Sequence, residues 1–430
     1  MESDSFLLRA RVVVPVSRPP IDEGAVFVSG ERICEVGEWS DLAARHPDRR
    51  VIDLADQILL PGLINTHCHL DYTRMAGGIP PRKSFSDWIK AILAYKADWS
   101  YTDFAESWMA GANMLLKYGT TTVLDIEAVP ELLSEVWSST PLRVISALEM
   151  TGIRSGRKPD EILAAALAAV PGAAPQNKTV ALSPHSLYST QPDLIRIAAD
   201  TARKRGWLMT THVSESTEEL DMFLRQSGPL HDWLQPQRDM SDCAGESPVT
   251  RLNRLGALSE NFIAVHANCL DEADLELLAD HGCSVVHCPR SHDYFQHPAF
   301  PLEQLRQRGI NLCLGTDSLA SVRGTNRPNI ELNLFKEMQS LAKTNPGVSA
   351  EFILRMATVN GARAINQTGE IGEITVGATA DLVAIPRRFD VTDPYRTIIE
   401  HQGPVTFSMI DGRQVQPAEG GQVGSGSAQE

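Results

Sequence analysis

The chain is poor in cysteine, poor in positive charge and without any long apolar run. Its seven cysteines (34, 68, 243, 269, 283, 288 and 313) are odd in number and include no Cys-x-x-Cys pair. That argues against a disulfide framework or a structural zinc knuckle and fits reduced thiols in a cytoplasm. Lysine and arginine total 39 against 54 aspartates and glutamates, a formal net charge of −15. Such a balance disfavours nucleic acid or an anionic membrane surface as partner. It leaves a small-molecule substrate open, because the charge inside a site can differ from the total. No stretch reaches the roughly 18 apolar residues of a membrane span. The acidic start, Met1-Glu2-Ser3-Asp4-Ser5, lacks the basic and apolar segments of a secretory signal, so a cytoplasmic location is expected. Repeats of fixed period and a Gly-x-x-x-x-Gly-Lys phosphate loop are also missing. The Gly-rich stretch 420–427 follows no strand and opens no helix, so 416–430 reads as a flexible tail.

What is present is ordinary for a soluble globular protein: 43% hydrophobic and 22% charged residues over 430 positions, enough for a large core and more than one domain. Residues 6–60 read as short strands and turns, a small β unit. From residue 61 the pattern changes, and apolar β runs alternate with helical stretches. Runs ending near His67, Asp125, Ala147, Ser183, His212, His266, Cys288 and Asp317 make eight strands. Alternation at this spacing implies a parallel sheet. The roughly 250 residues from His67 to Asp317 match the size of a (β/α)8 barrel. The expected fold is therefore α/β: a (β/α)8 TIM-type barrel over 61–369, with a small β-sandwich domain built from 1–60 and 370–415. The polar, Pro/Gly-rich segment 225–250 reads as an insertion near the barrel mouth.

One strand carries His67 and His69. Residues i and i+2 project to the same side of a strand, so two imidazoles stand together, as a transition metal requires. Alone, His-x-His is equally two polar residues at a strand-to-loop junction. Three further strands end in His212, His266 and Asp317, at the barrel end where catalytic residues gather. His67, His69 and His212 offer three neutral nitrogens and Asp317 a carboxylate. That set suits one divalent ion, Zn²⁺ first and Fe²⁺ second, with a position left for water. Glu215, three residues after His212, is placed to carry a proton over such a cup; the plainer alternative is a helix-start carboxylate favoured by the dipole. His266 can hold or polarise water, act as a further ligand, or be a core histidine.

Read together, Pro61-Gly-Leu-Ile-Asn-Thr-His-Cys-His69, Thr211-His-Val-Ser-Glu-Ser216, Val265-His-Ala-Asn-Cys-Leu270 and Leu314-Gly-Thr-Asp-Ser318 resemble the amidohydrolase superfamily. Within it they resemble the branch of cytosine deaminase, methylthioadenosine/adenosylhomocysteine deaminase, aminofutalosine deaminase and chlorohydrolases. The resemblance runs through nearly the whole chain, to the stretch 377–383. It implies metal ligands at His67, His69, His212 and Asp317. It implies that Glu215 shuttles a proton to the ring nitrogen, that His266 orients metal-bound hydroxide, and that Asp317 takes its proton. The reaction implied is hydrolytic loss of ammonia from an aminopurine nucleoside; the alternative is hydrolysis of another ring C–N or C–Cl bond (guanine, pterin, triazine) or of a cyclic amide. Ser183-Pro184-His185 stands where two-metal members carry a lysine, which points to one metal.

His185 matches a substrate-contacting position. His69-Leu-Asp-Tyr-Thr73, Phe85-Ser-Asp-Trp88 and the run from Cys288 through Arg290 and His292 to Phe295 are similar to aminofutalosine deaminases. Trp88, Arg290 and His292 are accordingly candidate substrate contacts. Arg290 and His292 can equally cap neighbouring helices, and Tyr294 and Phe295 can stack on a base or belong to the core. Asp98 is the nearest candidate for an acid that grips ribose hydroxyls. A homodimer also accords with the resemblance.

Overall fold

The computed structural model describes residues 5–80, 84–153, 156–172, 175–243, 245–324, 330–388 and 392–415. The tail expected over 416–430 lies outside them. The first five strands are β1 (Ser5–Val13), β2 (Ile21–Ser29), β3 (Arg32–Glu38), β4 (Arg50–Asp53) and β5 (Gln57–Pro61). Eight more follow: β6 (Leu63–Cys68), β7 (Thr120–Glu127), β8 (Arg143–Met150), β9 (Lys178–Pro184), β10 (Met209–Val213), β11 (Phe262–His266), β12 (Ser284–His287) and β13 (Asn311–Leu314). The chain closes with β14 (Leu382–Pro386), β15 (Phe407–Ile410) and β16 (Arg413–Gln414).

Strands β1–β5 and β14–β16 form one sheet in the order β16-β15-β14-β5-β1-β2-β3, with β4 also on β1. The branch has a simple cause. One edge of β1 pairs along its length with β2, while the other is divided between β4 at Phe6–Arg9 and β5 at Val12 and Val13. Val26 and Val28 from one end of this sheet share a buried cluster with Leu382 and Met409 from the other, so the sheet encloses its own core. The last strands of the chain thus complete a sheet begun by the first.

Strands β6–β13 form the second sheet, all parallel and in sequence order. Every residue of β6, β7 and β11 is buried, as expected of parallel strands covered on both faces. Alternation along β7 sends Leu124 and Ile126 into one cluster with Ile64, Ile263 and Val286, and Val123 into another shared with helix residues such as Trp108 and Leu115. β6 meets β13 to close the ring. The Thr66 hydroxyl donates to the Leu314 carbonyl at 2.7 Å, and Cys68 bridges to Asp317. The fold is a (β/α)8 barrel with an appended β-sheet from the chain ends.

Two features shape the barrel mouth. The helix Phe85–Tyr95 is capped by Ser84, whose hydroxyl accepts from Asp87 N, and by the Glu218 carboxylate, which accepts from Phe85 N and Ser86 N. Within the insertion 225–250 a short helix, Pro229–Leu234, starts at Gly228 (φ 96°) with Pro229 in the first turn. Arg238 anchors it through the Asp242 carboxylate and the carbonyls of Leu187 and Tyr188. Among the described residues no helix is long and apolar enough to cross a membrane.

Candidate metal centre and active-site cavity

At the C-terminal ends of the barrel strands, His67, His69, His212, His266 and Asp317 converge. Nε2 of His69 lies 3.3 Å from Nε2 of His212. Asp317 Oδ1 is 3.5 Å from His67 Nε2 and 3.7 Å from His69 Nε2. The His67 ring is 4.9 Å from His212 and 5.6 Å from His266, centroid to centroid. One ligand atom from each of His67, His69 and His212 falls within 4.8 Å of the others, as does one from each of His67, His266 and Asp317.

The cup is held from behind. The Asn65 side chain and Thr316 exchange two hydrogen bonds across the β6–β13 seam, and the His67 carbonyl accepts from Thr316 N and Asp317 N. Gly315 passes so close that an added Cβ would stand 2.8 Å from both Cβ and the carbonyl oxygen of His67; only glycine fits. Asp317 Oδ2 accepts from the Ser321 hydroxyl at 3.0 Å, which leaves Oδ1 for the histidines. The His212 Nδ1 atom faces the His185 carbonyl at 2.9 Å, which places its proton there and leaves Nε2 free toward the cup. Below, Asp125 accepts from Leu70 N and from Trp108 Nε1, fixing the turn that follows His69. Backbone strain concentrates here: Ser214, His266, Ala267 and Asp317 are all left-handed.

Charge states suit a cation. Burial holds His69 and His266 well below the usual histidine range and brings His212 down to about 3, with neighbouring imidazoles adding to it for His69 and His212. These rings are therefore neutral, as ligands must be. Burial would raise Asp317, but the imidazoles of His67, His266 and His69 outweigh it and keep the carboxylate ionised. Both ring nitrogens of His67 and Nδ1 of His69 are buried without a hydrogen-bond partner among the described residues. Buried polar atoms of this kind ask for a partner, and three imidazoles with a carboxylate make the donor set of a divalent metal. The residues fit the group.

Glu215 stands beside the cup, its Oε1 3.6 Å from His266 Nε2. Burial, then the charges of Asp317 and Glu219, push its carboxyl well above the usual carboxylate range, which favours the protonated form. Its backbone is pinned at both ends: N donates to Glu219 Oε2 at 2.9 Å, and its carbonyl accepts from Asn268 Nδ2 at 2.9 Å.

A cavity of about 380 Å³ opens onto the cup. Its wall is largely apolar, from Phe85, Trp88, Ile89, Ile92, Trp233 and Leu234, with His185, Glu215 and Asp317 on the floor. Trp88 and His185 therefore sit where a substrate would. His185 is neutral, brought down to about 3 chiefly by burial, and its Nδ1 is 2.7 Å from Ser189 Oγ.

Three other candidates from the sequence stand outside this cavity. Asp98 is exposed on the turn that follows the helix Phe85–Tyr95. Arg290 is used up internally: it pairs with the buried Glu337 carboxylate and donates to the Glu331 carbonyl. His292 Nδ1 is 3.0 Å from Asn268 Oδ1, one step behind Glu215. Phe295 packs edge-on against Trp88, centroids 4.8 Å apart, and the Tyr294 hydroxyl donates to the Ile79 carbonyl. Conversely, Tyr72, Lys96 and Glu149 line the cavity without having been singled out. The one local signal for Tyr72 is its place after His69, on whose ring it stacks at 5.2 Å.

A (β/α)8 barrel with this cup at its C-terminal mouth defines a hydrolase that works with a divalent metal. The chain belongs to the amidohydrolase family, whose profile matches residues 58–415. It is 30% identical over 420 residues to the 5-methylthioadenosine/S-adenosylhomocysteine deaminase of Syntrophobacter fumaroxidans, covering 92% of this chain and 88% of that one. Among solved structures it is similar to an adenosine deaminase from Xanthomonas campestris with bound zinc (26% identity, TM-score 0.80, 95% and 92% of the two chains). It shares its fold with Helicobacter pylori aminofutalosine deaminase in complex with methylthio-coformycin (22% identity, TM-score 0.82, 96% and 100% of the two chains).

Proposed function

We propose that this protein is a zinc-dependent hydrolytic deaminase of an aminopurine nucleoside, of the methylthioadenosine, adenosylhomocysteine, adenosine or aminofutalosine kind. The observation that carries the reading is Glu215: a buried carboxyl 3.6 Å from His266, lining the same cavity as His69, His212 and Asp317. The names of the relatives above support the substrate class, and the zinc of the Xanthomonas enzyme supports the metal.

His67, His69, His212 and Asp317 hold the ion. A divalent ion so held supplies Lewis acidity and lowers the pKa of water toward neutrality. Neutral His266 orients the attacking water through its ring nitrogen, and Asp317 Oδ1 accepts the proton that the water gives up. Glu215 donates its proton to the ring nitrogen beside the amine-bearing carbon, which makes that carbon electrophilic. As the tetrahedral carbon collapses, Asp317 passes its proton to the departing amine, and the hydroxyl on that carbon gives its proton back to Glu215 as it becomes the carbonyl. Water and the aminopurine become the oxopurine and ammonia. Trp88 and the neighbouring apolar wall exclude bulk water and provide a face on which a base can stack.

The test is Glu215→Gln assayed for ammonia release against the wild type on those nucleosides and on guanine, pterins and a chlorotriazine. General acid–base contributions of about 10²–10⁴-fold set the scale of the expected loss of kcat for deamination, with metal content unchanged. Undiminished deamination by the variant would refute the role given to Glu215.

A further inference from the structure

A metal-ligating imidazole is ordinarily fixed by a hydrogen bond at the nitrogen turned away from the ion. His212 has such a bond, to the His185 carbonyl. His69 has none among the described residues: its Nε2 stands 3.3 Å from that of His212, while its Nδ1 is buried without a hydrogen-bond partner. Two of the rings beside it, His67 at 5.0 Å and His212 at 5.4 Å between centroids, belong to the cup themselves and cannot fix it from outside. A third ring, Tyr72, lies parallel to His69 within 4° at 5.2 Å. Offset parallel rings attract one another, so this contact favours one plane for the imidazole.

Tyr72 is anchored outside the cup. It belongs to the short helical turn Leu70–Met75, which starts where His69 ends. Tyr72 N donates to the His69 carbonyl at 3.2 Å, and the Thr73 hydroxyl donates to the Leu70 carbonyl at 2.8 Å. Arg74 N fastens the turn to the Ser107 hydroxyl of the helix Tyr101–Lys117 at 2.9 Å. The Tyr72 ring is buried in a cluster with Met75, Ile79, Ile92 and Ala320. Its hydroxyl accepts from the Lys96 ammonium, which also lies over the ring, 4.6 Å from the centroid. The buried hydroxyl is thereby satisfied, and close packing leaves the ring no room to swing.

We propose that Tyr72 is a positioning residue of the metal centre: its ring stands in for the hydrogen bond that His69 lacks and fixes the plane in which His69 Nε2 meets the ion. Lys96 serves the same end by satisfying the Tyr72 hydroxyl. The role rests on the ligand set His67, His69, His212 and Asp317 and is independent of which ring the enzyme deaminates. Tyr72 also lines the cavity. A residue that did no more than touch substrate there would leave the metal's affinity and geometry as they are, which separates the two roles.

Metal binding tests it without turnover. Metal-free wild type, Tyr72→Phe and Tyr72→Leu are titrated with zinc against a chromogenic chelator, and each is loaded with cobalt(II), whose visible bands report ligand geometry. Tyr72→Leu removes the ring and should weaken zinc by about 10–100-fold, while Tyr72→Phe keeps the ring and should stay within about threefold of wild type. The cobalt bands should shift in Tyr72→Leu and match wild type in Tyr72→Phe. Thermal melting of the metal-free proteins checks the fold; should Tyr72→Leu show no transition, Tyr72→Met is read by the same criteria. Wild-type zinc affinity and cobalt bands in the variant without the ring overturn the role, as does a loss in Tyr72→Phe equal to that in Tyr72→Leu. Either result leaves the metal centre and the deaminase reading standing. A wild type that binds no zinc sinks the centre itself and the role with it.

Discussion

At the scale of single residues, the cup is a matter of a few close approaches. Gly315 is the plainest: it leaves His67 the space in which to stand. Gly315→Ala would push His67 away from His69 and His212, and ligand displacements of this kind cost about 10–100-fold in metal affinity. Zinc competition against a chromogenic chelator should show a loss of that order; unchanged affinity would mean that the strand seam yields easily. The histidines and Asp317 were legible in the sequence because a strand end is a periodic position, and polar residues at such ends are conspicuous. Glu149 and Lys96 were not legible. Each lies in an unremarkable local setting, and its place on the cavity wall is a property of three-dimensional neighbours alone. Asp98 illustrates the converse: it is near Lys96 in sequence, yet it is exposed and does not line the cavity.

At the scale of elements, loops after β10 and β11 are laced together. Ser214 O accepts from both Asn268 N and Cys269 N, and Val213 O accepts from Ala267 N. Glu215 is therefore presented by two strands at once, which is how a strained left-handed turn stays in place. The short helix Pro289–Phe295 behaves differently. The likeness of its run to aminofutalosine deaminases made Arg290 a candidate for substrate, but its partner Glu337 comes from the helix Leu334–Thr344, which no local pattern connects to it. Arg290→Ala leaves that carboxylate buried and alone, and breaking a buried pair costs about 3–5 kcal/mol. Chemical denaturation should show a loss of that order, with KM within about twofold of wild type. A large rise in KM at unchanged stability would return Arg290 to the substrate.

At the scale of the whole molecule, the alternation of strands and helices made the barrel legible, and its eight-strand count follows from that alone. The branch of the appended sheet at β1 was not, because it depends on β4 and β5 sharing one edge, a pairing choice without a sequence signature. The insertion at 225–250 was visible as a composition change, while its contribution of Trp233 and Leu234 to the cavity was not. We propose that residues 370–415 belong with 1–60 as one unit; Arg143 at the start of β8 ties it to the barrel by pairing with Asp381 and Asp411. All of this serves to hold one cup beneath one cavity. The central claim, that the cup deaminates an aminopurine nucleoside, is tested most directly by ammonia. Enzyme stripped by chelator and reloaded with one equivalent of zinc is given methylthioadenosine, adenosylhomocysteine, adenosine and aminofutalosine. The account predicts that the stripped enzyme is inactive and melts at a lower temperature. It predicts that the reloaded enzyme releases one ammonia per nucleoside consumed, as the purine spectrum moves from the amino to the oxo form. A zinc-loaded enzyme that leaves every one of these nucleosides unchanged would contradict it.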